Sequence, residues 1–436
     1  MKKNNTDSTT SLNRKLAPHI VDAVEFDLAL QPYGHFRLNN GVDVYTINGG
    51  TQEVIQVELV FFAGNSFEKK NAVAAATNFL LKNGTTKRTA FEINEQFEYY
   101  GAYLNRACYN ETATINLHCL NKHLGHLLPV LRELITEANF PQQELEIYQQ
   151  NTQQRLMVNL KKCDFVANRL IDAYVYGEDH PYGKYNRAED YQALTREELQ
   201  DFYNTHYTKG NCLLFVSGLL PKNIQELLNG AFGDLPLKPG KAEVPKFTPT
   251  PAAEHKQFIV NDKDGVQGAI RIARSFPGRH HPDFLKVLVL NNVFGGFFGS
   301  RLMSNIREDK GYTYGIYSYI QNHTGETAWM ISTEAGRKVC EKTVQEVFFE
   351  MKRLREGFIG EEELLLVRNF MIGSLLADID GPFQIMARWK NIILNGMTED
   401  YFDRTIQTIK TVSAEELHEL AMKYLQPEAF YELIVV

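Results

Sequence analysis

Cysteine, long apolar runs and basic clusters are all scarce in this chain of 436 residues. Its five cysteines are odd in number and show no C-x-x-C spacing, which argues against a disulfide framework or a zinc knuckle and favours buried thiols in a reducing compartment. No stretch approaches the roughly eighteen unbroken apolar residues of a transmembrane helix. A net charge of −7, without a basic run interleaved with aromatics, gives no electrostatic footprint for nucleic acid. The composition therefore predicts a cytoplasmic protein with no membrane and no nucleic-acid partner.

The N-terminus is polar. Its first twenty residues lack the apolar core of a secretory signal peptide. We expect residues 1–21 to form a polar N-terminal tail. The rest of the chain is too long for one ordinary domain, and its length suggests two or three.

A proline-rich segment, residues 235–252, divides the rest of the chain into two similar halves. Leu199 and Leu417 each follow a Glu-Glu pair and lie 218 positions apart, and the tyrosine and terminal strand after each of them recur almost in register. A repeat of this length indicates a duplicated domain rather than a solenoid. The sequence therefore predicts an N-terminal domain at 22–234 and a C-terminal domain at 253–436, joined by an extended linker.

Local patterns in both halves mix strands with helices. Asn40-Gly41 marks a hairpin turn, and Thr195 with Glu198 forms a capping box that begins a helix. We predict a hairpin at 36–47, strands at 56–63, 102–109, 112–120, 212–218, 267–273 and 430–436, and helices at 71–82, 90–100, 121–138, 141–162, 195–207 and 283–294. The predicted fold class is α+β, with two homologous α/β-sandwich domains, each an antiparallel-rich sheet covered by helices.

Three stretches of the chain match the motifs of one known family. The Ala-rich helix at 71–82 runs into Gly84-Thr85-Thr86-Lys87-Arg88, and His180-Pro-Tyr-Gly183 precedes the end of the first half. The second half contains a long motif from Gly295 to Tyr314. Together these stretches resemble the pitrilysin/insulinase family of zinc peptidases, and within it the two-subunit, processing-peptidase-like branch. The resemblance covers most of residues 36–436.

The resemblance implies a zinc site that this chain has lost. The family motif H-x-x-E-H places two histidines and a general base on one helix. Counted back from the Gly-Thr pair, these positions are Ala75, Asn78 and Phe79, and the family's further glutamate on a later helix falls at Gln154. Zinc needs three or four firm ligands. We therefore expect no metal and no cofactor in this chain, and zinc in a partner subunit.

The second-half motif, in contrast, keeps side chains that can do chemistry. Arg307 and Tyr314 match the family's arginine/tyrosine pair, which reaches across to the zinc site of the other half or subunit. A phenol hydroxyl can donate to an oxyanion, and a guanidinium can grip a carbonyl or carboxylate. The plainer alternative is that Arg307 pairs with Glu308 on a helix surface and that Tyr314 is a core residue of a strand. Nearby glycines are expected to form a flexible substrate loop: Gly295, Gly296 and Gly299.

Loss of the zinc residues with retention of the arginine and tyrosine predicts a noncatalytic, substrate-binding subunit of a two-subunit zinc metalloendopeptidase. Its partner would be a homologous subunit with an intact H-x-x-E-H motif, and its ligand an extended peptide that adds to a sheet edge. The alternative is a structural or peptide-binding pseudopeptidase, similar to a respiratory core subunit, that forms a homodimer and has no proteolytic partner. Both interpretations predict a chain that is inactive alone.

Overall fold

The computed structural model describes residues 21–436, so the predicted tail at 1–21 lies, except for its last residue, outside the described part. The fold is α+β, as predicted, with one sheet in each half. The strands of the first half are β1 (Gly34–Arg37), β2 (Asp43–Asn48), β3 (Val54–Phe61), β4 (Tyr103–Cys108), β5 (Ala113–Leu120) and β6 (Cys212–Gly218). Its helices are α1 (Val73–Leu80), α2 (Ala90–Tyr99), α3 (Leu124–Thr136), α4 (Gln142–Asn159), α5 (Cys163–Tyr176), α6 (Ala188–Gln192), α7 (Arg196–His206) and α8 (Ile224–Phe232).

The second half follows a segment, residues 233–255, that contains no helix and no strand. Its strands are β7 (Lys256–Ile259), β8 (Gln267–Phe276), β9 (Thr313–Asn322), β10 (Thr327–Gly336) and β11 (Tyr431–Val435). Its helices are α9 (Phe284–Asn291), α10 (Cys340–Glu356), α11 (Glu361–Ala377), α12 (Pro382–Leu394), α13 (Tyr401–Thr411) and α14 (Ala414–Tyr424). Two further segments are π-helical, Asn292–Gly296 and Met303–Asp309.

The five strands of the second sheet repeat the arrangement of five of the six strands of the first. The first has the order β1-β2-β6-β3-β5-β4 and the second β7-β11-β8-β10-β9, so that each strand of the second sheet has a counterpart in the first. The pairs β2–β6 and β7–β11 are parallel, whereas the other pairs are antiparallel. The internal duplication predicted from the repeat is confirmed. Strands β4 and β9 are counterparts, and each lies at an edge of its sheet.

The helices that precede the counterpart strands β6 and β11 begin in the same way. Thr195 at the start of α7 accepts a hydrogen bond from the backbone N–H of Glu198, and the Glu198 carboxylate accepts one from the Thr195 N–H. Ser413 and Glu416 form the same reciprocal pair at the start of α14. A capping box satisfies two backbone donors that the first turn leaves free. The equivalent helices are therefore fixed at their N-termini by the same local chemistry.

One helix from each half packs on the sheet of the other half. Helix α5 of the first half lies on β8 and β11 of the second sheet, where Ile171 and Val175 join a cluster with Leu433. Its counterpart α12 lies on β2 and β6 of the first sheet. In α12, Lys390 Nζ lies 2.8 Å from both carboxylate oxygens of Glu58 in β3. The predicted linker at 235–252 thus separates the two halves along the chain. In space, however, one helix of each half packs on the sheet of the other half.

The described residues can also be compared with the predictions about transmembrane helices and about the cysteines. None of its helices combines the length and the apolar character needed to cross a bilayer. All five cysteines are free thiols, and three of them, Cys119, Cys212 and Cys340, are buried.

Candidate functional site

Helix α1 is the element on which the family resemblance places the metal site. Its sequence, Val-Ala-Ala-Ala-Thr-Asn-Phe-Leu, has no acidic residue in the first turn and no basic residue in the last. Charged side chains from other segments lie at the ends of the helix instead. Glu68 Oε2 accepts a hydrogen bond from the Ala74 N–H at 2.9 Å, and its other oxygen lies 2.7 Å from Lys184 Nζ. Burial raises the pKa of the Glu68 carboxyl, and Lys184 opposes that rise.

The three positions of the lost motif line one cavity. Ala75, Asn78 and Phe79 face a space of about 360 Å³ whose opposite wall is helix α4. The amide of Asn78 is buried and donates to the Tyr207 hydroxyl at 3.1 Å and to the Thr114 carbonyl at 3.3 Å. The structure therefore brings these three residues together, and the residue in the general-base position serves as a structural donor.

The fourth predicted position needs a correction. Gln154 is exposed and does not line the cavity, whereas Asn151, Thr152 and Arg155 of the same helix do. Successive residues of an α-helix point about 100° apart, so a shift of one residue moves a side chain off the facing surface. An arginine at position 155, and not the glutamine at 154, lies opposite the lost motif.

These side chains do not fit a zinc ion. The side chains of Ala75 and Phe79 have no atom that can bind zinc. Of the residue types that usually bind zinc, the cavity wall contains only Cys108 and Glu144 among its described lining residues. Burial raises the pKa of the Cys108 thiol to about 12, so it stays protonated. Within residues 21–436, no group of three His, Cys, Asp or Glu side chains could hold a metal ion. Zinc requires three or four ligands of these types.

Arg106 occupies the site instead. This residue of β4 extends towards the end of α1, where its Nη1 donates to the Phe79 carbonyl, and its guanidinium carbon lies 5.2 Å from the centroid of the Phe79 ring. Tyr148 of α4 packs on the same ring, with 5.1 Å between centroids. Burial lowers the pKa of Arg106 to about 10, which leaves it charged at neutral pH. Sequence reasoning did not find Arg106, although strand alternation puts it on the same face as buried Leu104.

Arg307 and Tyr314 lie in the second half and form an exposed aromatic–cation cluster with Phe298. The Arg307 guanidinium carbon is 4.4 Å from the Phe298 ring centroid and 5.6 Å from that of Tyr314, within the usual range of a cation–π contact. Tyr314 is 93% exposed, so it is not a core residue of β9. No ion pair joins Arg307 to Glu308 among the described side chains. The structure thus places the predicted pair side by side at the surface.

The glycines of this motif differ from the expectation. Gly295 and Gly296 do not form a flexible loop, because they are the last two residues of a π-helical turn. A Cβ on Gly295 would lie 2.7 Å from Cβ of Ser318 in β9, so the glycine permits close packing of helix and strand. Only residues 297–300, including Gly299, are irregular, and they link the two π-helical segments. Such segments often occur at functional sites.

The two sets of predicted residues do not share a site within one chain. Every residue that lines the cavity at α1 comes from the first half, between positions 75 and 191. The cavity borders the edge strand β4 through Arg106 and Ala107, whereas Tyr314 lies on the counterpart edge strand β9. The cavity at α1 therefore contains neither Arg307 nor Tyr314 among its lining residues.

Comparisons with known proteins agree with this architecture. The family model described as insulinase (peptidase family M16) matches residues 43–180, and the model described as peptidase M16 inactive domain matches residues 193–371. The zinc protease YmxG of Bacillus subtilis is 25% identical, over 92% of this chain and 97% of the relative. The beta subunit of the mitochondrial-processing peptidase of Rattus norvegicus is 22% identical, over 89% of this chain and 81% of that protein.

Solved structures share the fold over nearly the whole chain. A peptidase M16 inactive domain from Pseudomonas fluorescens superposes with a TM-score of 0.83 at 21% identity, covering 93% of this chain and 98% of its own. A protease from Helicobacter pylori gives a TM-score of 0.83 at 16% identity, covering 93% of this chain and all of its own, 100%. At Ala75, Asn78 and Phe79, called the degenerate metal site below, the described side chains form no metal-binding group. The two family models and the duplicated fold confirm the resemblance that the motifs indicated: this chain belongs to the insulinase family of peptidases, family M16.

Proposed function

We propose that this chain is the noncatalytic, substrate-binding subunit of a two-subunit zinc metalloendopeptidase. The observation that carries the proposal is a contrast between the halves. The metal-binding positions are replaced and covered by Arg106, while Arg307 and Tyr314 are held together at an exposed surface. The similarity to the beta subunit of the mitochondrial-processing peptidase supports only the part of the proposal that concerns assembly, since that relative is named as one subunit of a peptidase.

In this proposal Tyr314 and Arg307 act on a substrate bound at the partner's active site. The phenol hydroxyl of Tyr314 is free to donate to the oxygen that becomes negatively charged on the scissile carbonyl. The guanidinium of Arg307 can bind a peptide carbonyl or carboxylate with two parallel N–H groups while its face stays on Phe298. The partner is a homologous chain with an intact H-x-x-E-H helix, and zinc belongs to that chain.

The substrate in this proposal is an extended peptide. Strand β4 is an edge strand, and edge strands offer unpaired backbone groups to which a peptide can add by β-augmentation. The cavity at α1 adjoins this edge through Arg106 and Ala107. A peptide paired with β4 would therefore place side chains next to the degenerate metal site.

Reconstitution tests the proposal. The chain is mixed with a family member that carries H-x-x-E-H, and cleavage of an unstructured fluorogenic peptide is followed. Loss of one oxyanion donor typically reduces turnover about 10²- to 10³-fold, so Tyr314→Phe should reduce kcat of the mixture within that range. Tyr317→Phe, at another exposed tyrosine of β9, is the matched control and should leave it unchanged. Full activity with Tyr314→Phe would refute the assigned role.

A second candidate is a structural or peptide-binding pseudopeptidase that forms a homodimer without a proteolytic partner. It is favoured by the contact between Arg307 and Phe298, because a side chain stacked within its own chain can serve the fold alone. Under this alternative, Arg307→Ala lowers the stability of the chain by about 1 kcal/mol and changes no peptidase activity. Thermal melts run beside the reconstituted assay separate the two candidates.

We also propose that the protein works in the cytoplasm. The five free thiols support a reducing compartment, since disulfides form and persist mainly in oxidising ones.

A further inference from the structure

The cavity at α1 carries a positive charge where the family holds a metal. Arg106 and Arg155 line it, and Glu144 is the one acidic residue among its described lining residues. Glu144 is already engaged, because its Oε2 accepts a hydrogen bond from the Asn83 amide at 2.8 Å. The cavity therefore has two guanidinium groups and only one carboxylate to balance them.

The hydrogen-bonding capacity of Arg106 is only partly used. Its Nη1 donates to the carbonyl of Phe79, whereas its Nε is buried and has no partner among the described residues. A buried donor without an acceptor costs roughly 1–3 kcal/mol, and more when the group is charged. The rest of the wall adds donors, including the amide of Asn151 and the hydroxyl of Thr152. An anion with two oxygens would satisfy the free guanidinium donors that the protein leaves without partners.

We infer that the degenerate metal site is an anion pocket that binds a carboxylate of the peptide lying along β4, with Arg106 and Arg155 as the recognition residues. The inference rests on the peptide-binding part of the proposed function. It goes beyond that function by naming the feature of the substrate that is recognised. The carboxylate is either an acidic side chain or the free C-terminus of the peptide, since both present the same two oxygens. At about 360 Å³ the cavity can hold such a group with its flanking methylenes.

Binding to the purified chain alone tests the inference. Four fluorescein-labelled, unstructured twelve-residue peptides are compared by anisotropy. Three have amidated C-termini and differ only in a central Glu, Gln or Lys, and the fourth has the central Gln and a free C-terminal carboxylate. The Glu peptide or the free-carboxylate peptide should bind about tenfold more tightly than the amidated Gln peptide, since charge-assisted contacts are the stronger ones. Whichever of the two gains affinity identifies the source of the carboxylate.

Variants of Arg155 assign the effect to the cavity. Arg155 is exposed and caps no helix, so its replacement leaves the fold intact. Arg155→Gln should remove most of the tenfold preference, and Arg155→Glu should shift the preference to the Lys peptide. Lys161→Gln, just beyond the end of α4, removes the same charge outside the cavity and should keep the preference. Arg106→Gln should also abolish the preference, and its thermal melt shows whether the chain still folds.

Several results would overturn the inference. These are equal binding of the four peptides, a Glu preference that survives Arg155→Gln and Arg155→Glu, or no binding of any peptide. The proposed function is measured separately, because it depends on a partner's turnover and on Tyr314. If the chain prefers carboxylate peptides but never stimulates a partner, the anion pocket is supported and the proposed subunit role is refuted. If the chain stimulates a partner but shows no carboxylate preference, the subunit role is supported and the anion pocket is refuted.

Discussion

Replacing either member of the Glu58–Lys390 pair tests whether the exchange of helices α5 and α12 makes the two halves one folding unit. Lys390 of α12 lies 2.8 Å from both oxygens of Glu58 in β3, so the pair joins the second half of the chain to the centre of the first sheet. The Glu58 side chain is 6% exposed and that of Lys390 is 27% exposed. The burial of the pair makes the cost of breaking it asymmetric.

The expected loss in the free energy of unfolding depends on which charge each substitution leaves without a partner. Breaking a buried ion pair by removing one partner costs about 3–5 kcal/mol, because the other charge stays buried and unpaired. Lys390→Met leaves the deeply buried carboxylate and should cost about 3–4 kcal/mol. Glu58→Gln leaves an ammonium that water partly reaches, so that about 2 kcal/mol is expected after allowance for solvent screening. Glu58→Leu with Lys390→Met removes both charges and should cost less than either single change.

Urea unfolding measures these costs, and the two tryptophans report on both halves. Trp329 lies in β10 of the second sheet, and Trp389 in the exchanged helix α12. We expect one transition for both probes, moved to lower urea by the substitutions. Glu356→Gln, in an exposed ion pair with Lys352 on α10, is the control and should cost about 0.5 kcal/mol or less. Separate transitions for the two tryptophans, or a loss with Lys390→Met no larger than that of the control, would refute the single folding unit.

Three further predictions concern the degenerate site and the second-half motif. Tyr207→Phe removes the hydroxyl that accepts from the Asn78 amide and should lower the free energy of unfolding by about 1–2 kcal/mol, measured by urea titration. Gly295→Ala should cost about 1–3 kcal/mol in the same assay, because the new methyl group would overlap strand β9; an unchanged midpoint would instead favour a flexible loop. Restoring the motif (Ala75→His, Asn78→Glu and Phe79→His together) should not produce stoichiometric zinc binding in metal analysis, because the guanidinium above these residues remains. One zinc per chain would contradict this last prediction.

The architecture was largely predictable because it depends on periodicity and on the repeat. The recurrence of Leu199 at Leu417 indicated a duplicated domain, and the capping box at Thr195 located the start of a helix. The exchange of α5 and α12 was not predictable. An apolar helical face has the same sequence pattern whichever sheet it covers, and contacts between residues hundreds of positions apart leave no local signal.

The errors at the site have similar physical origins. Gln154 lies outside the cavity, because the phase of a helix across a cavity depends on loop geometry that spacing alone does not fix. The predicted flexible loop at Gly295 was wrong, because glycine serves close packing as readily as flexibility. Arg106 escaped notice because it lies in a strand of unremarkable composition, and its role depends entirely on the helix end that it faces.

The side chains around the degenerate site follow from the electrostatics of helix α1. A helix carries partial positive charge at its N-terminus and partial negative charge at its C-terminus. Helix α1 supplies neither compensating charge itself, so Glu68 meets its first turn and Arg106 meets the Phe79 carbonyl in its last. With the cation supplied by a side chain fixed to the helix end, the wall facing α4 attracts anions rather than metal ions. In the proposal above, the guanidinium that stabilises the end of α1 is the same group that recognises the carboxylate of the peptide.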